Sequence, residues 1–177
     1  MRSIVWFVGF VGLLLCAQNQ RIENLAPYTP TPDLVVDKML ELAALKPGER
    51  LFDLGSGDGR IVIHAARKYA AKATGVEFDE VLYRRSMQLI QSLGLAGKAQ
   101  IILGDLMRQD YSDADVVTVY LLPVASLRLA PMLEKQLRSG ARVVSHNSTF
   151  PGWKVQQVLD IPDGGDGKTH VVYLYVR

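Results

Sequence analysis

The most constraining feature of this chain is a glycine-rich stretch from Leu51 to Arg60, with the sequence LFDLGSGDGR. It joins an apolar segment to residues whose apolar spacing predicts a helix. Because glycine lacks a Cβ atom and tolerates positive φ, a strand-to-helix turn of this kind lets the backbone approach a ligand closely. The stretch therefore predicts a cofactor-binding loop, whose candidate residues are Asp53, Gly55, Ser56, Gly57, Asp58 and Gly59.

The spacing and charge of the loop argue against a pyrophosphate ligand. A dinucleotide-binding fingerprint has its third glycine three residues after the second, and Arg60 stands at that place here. Asp53 and Asp58 bracket the loop, so their carboxylates would repel phosphate and favour a cation. S-adenosylmethionine carries a sulfonium and an ammonium group and no phosphate, and it is the predicted cofactor.

Composition narrows the class of protein. The chain has 177 residues, of which 49% are hydrophobic, enough for one domain with a sizeable core. A net charge of +2 gives no strong signal for nucleic acid, and the protein is expected to be a monomer. The single cysteine and the three scattered histidines form no metal-binding pattern, so no metal site is predicted.

The first 17 residues form a separate apolar segment. An apolar run of about 14 residues makes a helix of about 21 Å, which is short against a hydrocarbon core of about 30 Å. One interpretation is a signal peptide, and the other is an uncleaved anchor that associates with a membrane through residues 4–17. A buried helix of the globular domain is the third. Because S-adenosylmethionine is made inside cells, the catalytic domain is expected on the cytoplasmic side.

Residues 18–33 contain prolines at alternate positions, and the globular domain is predicted to occupy residues 34–177. The alternating prolines preset an extended backbone, which is typical of a rigid linker. The functional interpretation is a lid over the cofactor, with Tyr28 stacking and Thr31 hydrogen-bonding. Asp33 is predicted as the N-cap of the first helix.

Two acidic residues follow predicted strands at places where adenosine would bind. Glu77 lies about 20 residues beyond the glycine loop, where an acid can accept hydrogen bonds from ribose hydroxyls. Asp105 ends the third predicted strand and could receive the exocyclic amine of adenine. The structural alternatives are a solvated cap for Glu77 and a turn aspartate for Asp105.

Alternation of strands and helices along the chain predicts an α/β fold. Its central sheet is Rossmann-like and mostly parallel, and residues 155–176 close it with an antiparallel hairpin. The strand over residues 115–120 is apolar on both faces, which is typical of a central strand. Ligands of such sheets bind beyond the carboxyl ends of the strands, so the segment Tyr120–Pro123 is placed beside the transferable methyl group.

Together these stretches resemble class I S-adenosylmethionine-dependent methyltransferases from about Pro27 onward. More narrowly, the chain is similar to small protein-lysine methyltransferases, which include mitochondrial enzymes acting on the adenine nucleotide translocase and the ATP synthase c-subunit and their prokaryotic relatives. The match is carried by Pro27–Pro32, Asp53–Ile63, Gly75–Glu77, Tyr120–Pro123, Arg142–His146 and Trp153. The resemblance implies that Tyr28 and Thr31 contact the cofactor and that the apolar N-terminal segment is retained at a membrane.

The resemblance implies a protein lysine as the methyl acceptor. A lysine has a reference pKa of about 10.4 and must lose a proton before it attacks the methyl group. Backbone carbonyls of Tyr120, Leu121, Leu122 and Pro123 and the Tyr120 hydroxyl are the groups expected to orient its amine. His146 is either a proton acceptor or a hydrogen-bonded structural histidine. The alternatives are a small-molecule or RNA acceptor, and a cofactor-binding module without transfer activity.

Overall fold

The computed structural model describes residues 28–177, in which helices and strands alternate as predicted. The α-helices are α1 (Asp33–Leu42), α2 (Arg60–Tyr69), α3 (Glu80–Ser92) and α4 (Pro123–Gln136). The strands are β1 (Arg50–Leu54), β2 (Lys72–Glu77), β3 (Ala99–Leu103), β4 (Val116–Val119), β5 (Arg142–His146), β6 (Gln157–Ile161) and β7 (His170–Val176).

All seven strands form one sheet in the order β3-β2-β1-β4-β5-β7-β6. Neighbours from β3 to β5 pair in parallel, whereas β7 runs antiparallel to both β5 and β6. This arrangement confirms the predicted mostly parallel sheet with a C-terminal antiparallel hairpin. The chain moves outward from β1 to β3 and then returns to β4 beside β1. The crevice at the carboxyl ends of β1 and β4 is therefore the topological switch point, where ligands of such sheets bind.

Alternate residues of the central strands support two separate cores. On β4, Val116 packs into a cluster with residues of α1, α2 and α3 on one face of the sheet. Its neighbour Val117 packs with α4, Phe150 and Tyr175 on the other face. Because both faces are covered, the strands are apolar on both sides, as their β-branched runs predict. A sheet held in this way provides a rigid base for the loops at its carboxyl end.

The prediction that Asp33 caps α1 is wrong. The helix begins at Asp33 itself, and the residue before it is Pro32, which has no side-chain oxygen to accept a hydrogen bond. The Asp33 carboxylate instead lies 3.9 Å from Arg60 Nη1. A carboxylate in the first turn still interacts favourably with the helix dipole.

Several predictions fall on residues that the structure does not describe. The signal-peptide or anchor segment at residues 1–17 lies outside residues 28–177, and so does most of the proline-containing segment at 18–33. Within the described range, none of the helices has the length and apolar content needed to cross a membrane.

Candidate functional site

A cleft of about 300 Å³ opens at the carboxyl ends of β1, β2 and β4. Most of the predicted site residues line it, including every residue predicted to bind cofactor except Gly59. These are Tyr28, Thr31, Asp53, Gly55, Ser56, Gly57, Asp58, Glu77 and Asp105, together with Tyr120, Leu121 and Leu122 of the predicted acceptor segment. Gly59 precedes α2 as its N-cap residue, and Pro123 is the first residue of α4.

The glycine loop is held against the neighbouring strand β2 by hydrogen bonds. The amides of Gly55 and Ser56 both donate to the Val76 carbonyl at 3.0 Å, and the Gly57 amide donates to Glu77 Oε2 at 2.6 Å. Ser56 lines the cleft, and its buried Oγ has no hydrogen-bond partner within residues 28–177. The backbone of the loop is thus fixed before any ligand binds.

Two glycines allow this close packing. Gly57 has φ of +55°, and a Cβ atom there would lie 2.9 Å from the Tyr28 ring. Gly75 on β2 faces Ser56, whose Cβ would be 2.5 Å from a Cβ placed on the glycine. Contacts under 3.0 Å force a rearrangement, so the loop can reach its position only because both residues lack side chains. The role of Gly75 was not predicted from the sequence, although Gly75 belongs to a stretch that carries the family resemblance.

Glu77 anchors the loop as well as lining the cleft. Its Oε2 accepts from Gly57, and its Oε1 accepts from the amides of Phe78 at 2.9 Å and Asp79 at 2.8 Å. A carboxylate has about four acceptor positions, so one remains for a ligand hydroxyl. The ribose role of Glu77 stays a prediction, and the structure adds an architectural role to it.

Asp53 is a buried carboxylate at the floor of the cleft. Its exposed fraction is 3%, and Thr118 Oγ1 donates a hydrogen bond to its Oδ1 at 2.7 Å. Burial raises the pKa of Asp53 to about 7 against the effect of this hydrogen bond, and the charges of Glu77 and Asp58 act in the same direction as burial. A carboxyl with such a pKa is stabilised in its ionised form by a cationic ligand.

Asp58 is not the free negative charge that the sequence suggested. Arg60 Nε lies 3.0 and 3.1 Å from the two Asp58 oxygens, and Arg60 Nη2 lies 2.6 Å from Oδ2. Burial opposes ionisation, but the hydrogen bonds from Arg60 hold the pKa of Asp58 below its usual range. Arg60 therefore offsets part of the repulsion that Asp58 would exert on a phosphate, although the Asp58 charge still acts on Asp53.

Arg60 also holds the segment around Thr31, which is predicted to cover the cofactor, in place. Arg60 Nη1 donates to the Thr31 carbonyl at 2.7 Å, and the Tyr28 hydroxyl forms a hydrogen bond with Asp58. Tyr28 and Thr31 therefore lie over the glycine loop rather than in a detached linker. Their contact with cofactor stays a prediction. The sequence showed Arg60 only as a misplaced residue in the glycine pattern.

Asp105 lines the cleft and also caps a turn, so it has both of the positions that the sequence suggested for it. Its Oδ1 accepts from the Met107 amide at 2.8 Å, at the start of the 3₁₀ turn Leu106–Arg108. Its carboxylate remains at the cleft wall, so the predicted contact with an adenine amine is left as a prediction.

The end of the cleft that is predicted to hold the methyl acceptor follows β4. Tyr120, Leu121 and Leu122 form its wall beside the glycine loop, and a Cβ atom on Gly55 would lie 2.8 Å from Leu121 Cδ2. The Leu121 carbonyl accepts a hydrogen bond from Ser148 Oγ at 3.2 Å. This end offers carbonyl oxygens and one phenolic hydroxyl as hydrogen-bonding groups.

His146 lies behind this wall rather than in it. It is fully buried, and its ring centroid is 3.9 Å from that of Tyr120. Burial and the neighbouring His170 lower the pKa of His146 to about 4. The side chain is therefore a neutral ring beneath Tyr120 at physiological pH, and it does not line the cleft directly.

The dimensions and chemistry of the cleft fit S-adenosylmethionine. A volume of about 300 Å³ lies at the lower end of the range of small-molecule sites. The buried Asp53 carboxylate favours a cation, and Gly57 adds no side chain of its own to the cleft. The described residues contain no group of three or more histidine, cysteine or acidic side chains arranged for a metal ion.

Comparison with known proteins agrees with this fit. The family model of the ANTKMT methyltransferase domain matches residues 53–157. A protein from Saccharolobus islandicus named protein-lysine N-methyltransferase is 43% identical over 85% of this chain and 92% of its own length. The human lysine N-methyltransferase named for the ATP synthase c-subunit is 32% identical over 75% of this chain, which spans 56% of that protein.

A solved structure gives the same result for fold and cofactor. The protein from Salinibacter ruber, described as an RNA methyltransferase in complex with S-adenosyl-L-homocysteine, is 40% identical with a TM-score of 0.78. The match covers 84% of this chain and 93% of that one. These findings confirm the resemblance drawn from the sequence and identify S-adenosylmethionine as the cofactor. The chain belongs to the ANTKMT methyltransferase domain family of S-adenosylmethionine-dependent methyltransferases.

Proposed function

We propose that this enzyme transfers the methyl group of S-adenosylmethionine to the side-chain amine of a protein lysine. The observation that carries the proposal is the wall formed by Tyr120, Leu121 and Leu122 beside the glycine loop. Its carbonyl oxygens and phenolic hydroxyl can accept hydrogen bonds from an amine and aim its lone pair at the methyl group. The relative from Saccharolobus islandicus, which has nearly the same length, is named for this activity.

The residues that would hold the cofactor divide into two groups. Asp53 and the loop residues Gly55, Ser56, Gly57, Asp58 and Gly59 would hold the methionine half, with Asp53 supplying charge for its ammonium group. Glu77 and Asp105 would bind the ribose and adenine, and Tyr28 and Thr31 would cover them. Bound S-adenosylmethionine supplies an activated methyl group, so the protein needs to align the acceptor and exclude water.

The acceptor wall also favours loss of a proton from the incoming lysine. Leu121 and Leu122 give this end of the cleft an apolar surface, and desolvation there disfavours an ammonium group. A neutral amine held by carbonyl oxygens has its lone pair free for an in-line displacement at the methyl carbon. Methyl transfer then leaves a methylammonium product and an uncharged thioether.

RNA is the second candidate acceptor because of the Salinibacter ruber structure, which is 40% identical and described as an RNA methyltransferase. A net charge of +2 gives the chain little general attraction for a phosphate backbone. Protein lysine is therefore the preferred assignment, and RNA is an outcome that the experiment must be able to detect.

Label transfer to an extract of the source organism tests the assignment. The full chain is incubated with extract and cofactor labelled on its methyl group, and portions are then digested with protease or with ribonuclease. We expect label in the protein fraction that protease releases and ribonuclease leaves unchanged. A Glu77→Ala variant, which lacks a cofactor-site carboxylate, controls for methyltransferases of the extract. Label in RNA, lipid or a small metabolite would overturn the lysine assignment.

A further inference from the structure

Three polar side chains form a continuous hydrogen-bonded chain behind the acceptor end of the cleft. Asp166 Oδ1 lies 3.0 Å from His170 Nε2, and His170 Nδ1 lies 2.8 Å from His146 Nε2. The His146 ring in turn lies against Tyr120, which lines the cleft. The Asp166 side chain is 34% exposed. These three side chains therefore connect solvent with the cleft wall through the buried imidazoles of His170 and His146.

The hydrogen bonds determine which nitrogen of each ring carries hydrogen. The hydrogen bond with His170 holds the pKa of Asp166 below its usual range, so its ionised carboxylate can only accept. His170 Nε2 must then be the donor. In a neutral His170 the other nitrogen, Nδ1, is an acceptor, and His146 Nε2 donates to it. His146 Nδ1 is left as a bare acceptor.

This bare nitrogen is an unusual feature of a buried ring. His146 has an exposed fraction of 0%, and its Nδ1 has no hydrogen-bond partner within residues 28–177. Buried acceptors are nearly always paired, because an unpaired one costs about 1–3 kcal/mol. An unpaired lone pair directly behind the acceptor wall is therefore a candidate for a proton-accepting role.

Within residues 28–177, the titratable groups that act on His146 are His170 and Asp166. Lys168 lies on the same loop as Asp166, and its backbone amide donates to Asp166 Oδ1 at 3.1 Å. Helix α1 contributes the apolar Val35, which packs on Gly164 together with His170: a Cβ atom on Gly164 would lie 3.0 Å from Val35 Cγ2 and 2.5 Å from His170 Cδ2. Asp166 is thus the carboxylate in contact with the pair of histidines.

We propose that the chain from His146 through His170 to Asp166 takes up the proton that the acceptor lysine loses, an inference that rests on the proposed lysine methylation. The ammonium proton passes Tyr120 and binds to His146 Nδ1, leaving the electron pair on the amine. The hydrogen on His146 Nε2 moves at the same time to His170 Nδ1. Charge then appears as an imidazolium on His170 beside the Asp166 carboxylate, while His146 stays neutral and exchanges one tautomer for the other. After the product leaves, His170 Nδ1 returns its hydrogen to His146 Nε2, and His146 Nδ1 releases the proton through the open cleft, which restores both starting tautomers.

Nitrogen NMR tests the hydrogen-bonded relay of His146, His170 and Asp166 independently of catalysis. The protein has three histidines, and a His64→Gln variant assigns the third, so the ring nitrogens of His146 and His170 can be followed with pH. We expect both rings to carry hydrogen on Nε2 at alkaline pH. On acidification, the proton that the two rings take up should move the His146 hydrogen from Nε2 to Nδ1. A His146 that keeps its hydrogen on Nε2 throughout would overturn the relay.

Kinetics with a matched pair of variants tests its role in turnover. Asp166→Asn removes the charge beside His170, whereas Asp160→Asn removes one from an exposed position on β6 of the same hairpin. We expect Asp166→Asn to lower kcat by about tenfold or more, to leave KM for the cofactor unchanged, and to move the acid limb of the kcat profile to lower pH. Asp160→Asn should change none of these.

The two failures are distinguishable. If the wild type methylates no protein lysine, the proposed function fails whatever the NMR shows. If the wild type methylates lysine while Asp166→Asn retains both its kcat and its acid limb, only the relay is overturned.

Discussion

Replacing Asp53 by asparagine should remove the pH dependence of cofactor affinity that this carboxyl creates. The side chain is 3% exposed and accepts a hydrogen bond from Thr118 at 2.7 Å, which an asparagine oxygen can also accept. The substitution therefore removes the charge and preserves the shape. It isolates the electrostatic contribution of Asp53 to binding a cation.

The magnitude follows from the raised pKa of Asp53, which burial brings to about 7. About nine-tenths of the carboxyl is then ionised at pH 8 and about one-tenth at pH 6. If the cofactor binds the ionised form, wild-type affinity falls about tenfold between pH 8 and pH 6. At pH 8 the asparagine variant should bind about 30-fold more weakly, because a hydrogen bond to a charged group contributes about 2 kcal/mol.

Isothermal titration calorimetry measures both effects. The ratio of wild-type to Asp53→Asn affinity at each pH removes the titration of the ligand itself. Repeating the titration at pH 7 in buffers of different ionisation enthalpy should show about half a proton released per cofactor bound by the wild type, and that release should be absent from the variant. A wild-type to variant ratio that stays constant from pH 6 to pH 8, with equal proton release, would refute the reasoning.

Three further predictions concern the same loop. Folding raises the pKa of Asp53 above its unfolded value, so the stabilisation that the protonated carboxyl gives the folded state is present in acid and is lost as pH rises from about 4 to about 7. Urea unfolding should show the wild type losing up to about 4 kcal/mol of unfolding free energy relative to Asp53→Asn over this range. Unfolding free energies of the two proteins that change in parallel with pH would contradict this prediction. Glu77→Gln sets an NH2 group against either the Gly57 amide or the amides of Phe78 and Asp79. Chemical denaturation should therefore show a loss of about 1–3 kcal/mol, together with weaker cofactor binding. Unchanged stability would show that the loop does not depend on the full set of hydrogen bonds to the Glu77 carboxylate. Gly57→Ala should weaken cofactor binding, because its Cβ would meet the Tyr28 ring at 2.9 Å. The matched Gly94→Ala, with φ of +68° and nothing within 4 Å, should lower the free energy of unfolding by about 1 kcal/mol and leave binding intact. Equal effects of the two variants on binding would exclude the Tyr28 contact as the cause.

Much of this fold can be predicted because its strands are buried on both faces. Residues such as Val116 and Val117 on β4 form runs of β-branched side chains that only a central strand can bury. The three alternating glycines mark the turn at the end of β1, and Gly94, with φ of +68°, follows the C-terminal end of α3. These features depend on local backbone preference and on the period of hydrophobicity, which the sequence displays directly.

Side-chain partners within the site were harder to predict. The pairing of Asp58 with Arg60 depends on the direction in which a long arginine side chain folds, which sequence spacing does not determine. The contact between His146 and His170 depends on register, because β7 pairs with β5 so that His146 lies opposite Val172. A shift of one residue would send His170 to the opposite face of the sheet. Such contacts become visible only when the sheet is assembled.

The proposed function requires that the cleft delivers a methyl group to a lysine amine held at Tyr120, Leu121 and Leu122. Fragmentation mass spectrometry of the labelled acceptor, purified after incubation with methyl-labelled cofactor, locates the transferred group. We expect the labelled methyl group on the Nζ atom of a lysine. A label found on a nucleobase, or on a protein group other than a lysine amine, would contradict it.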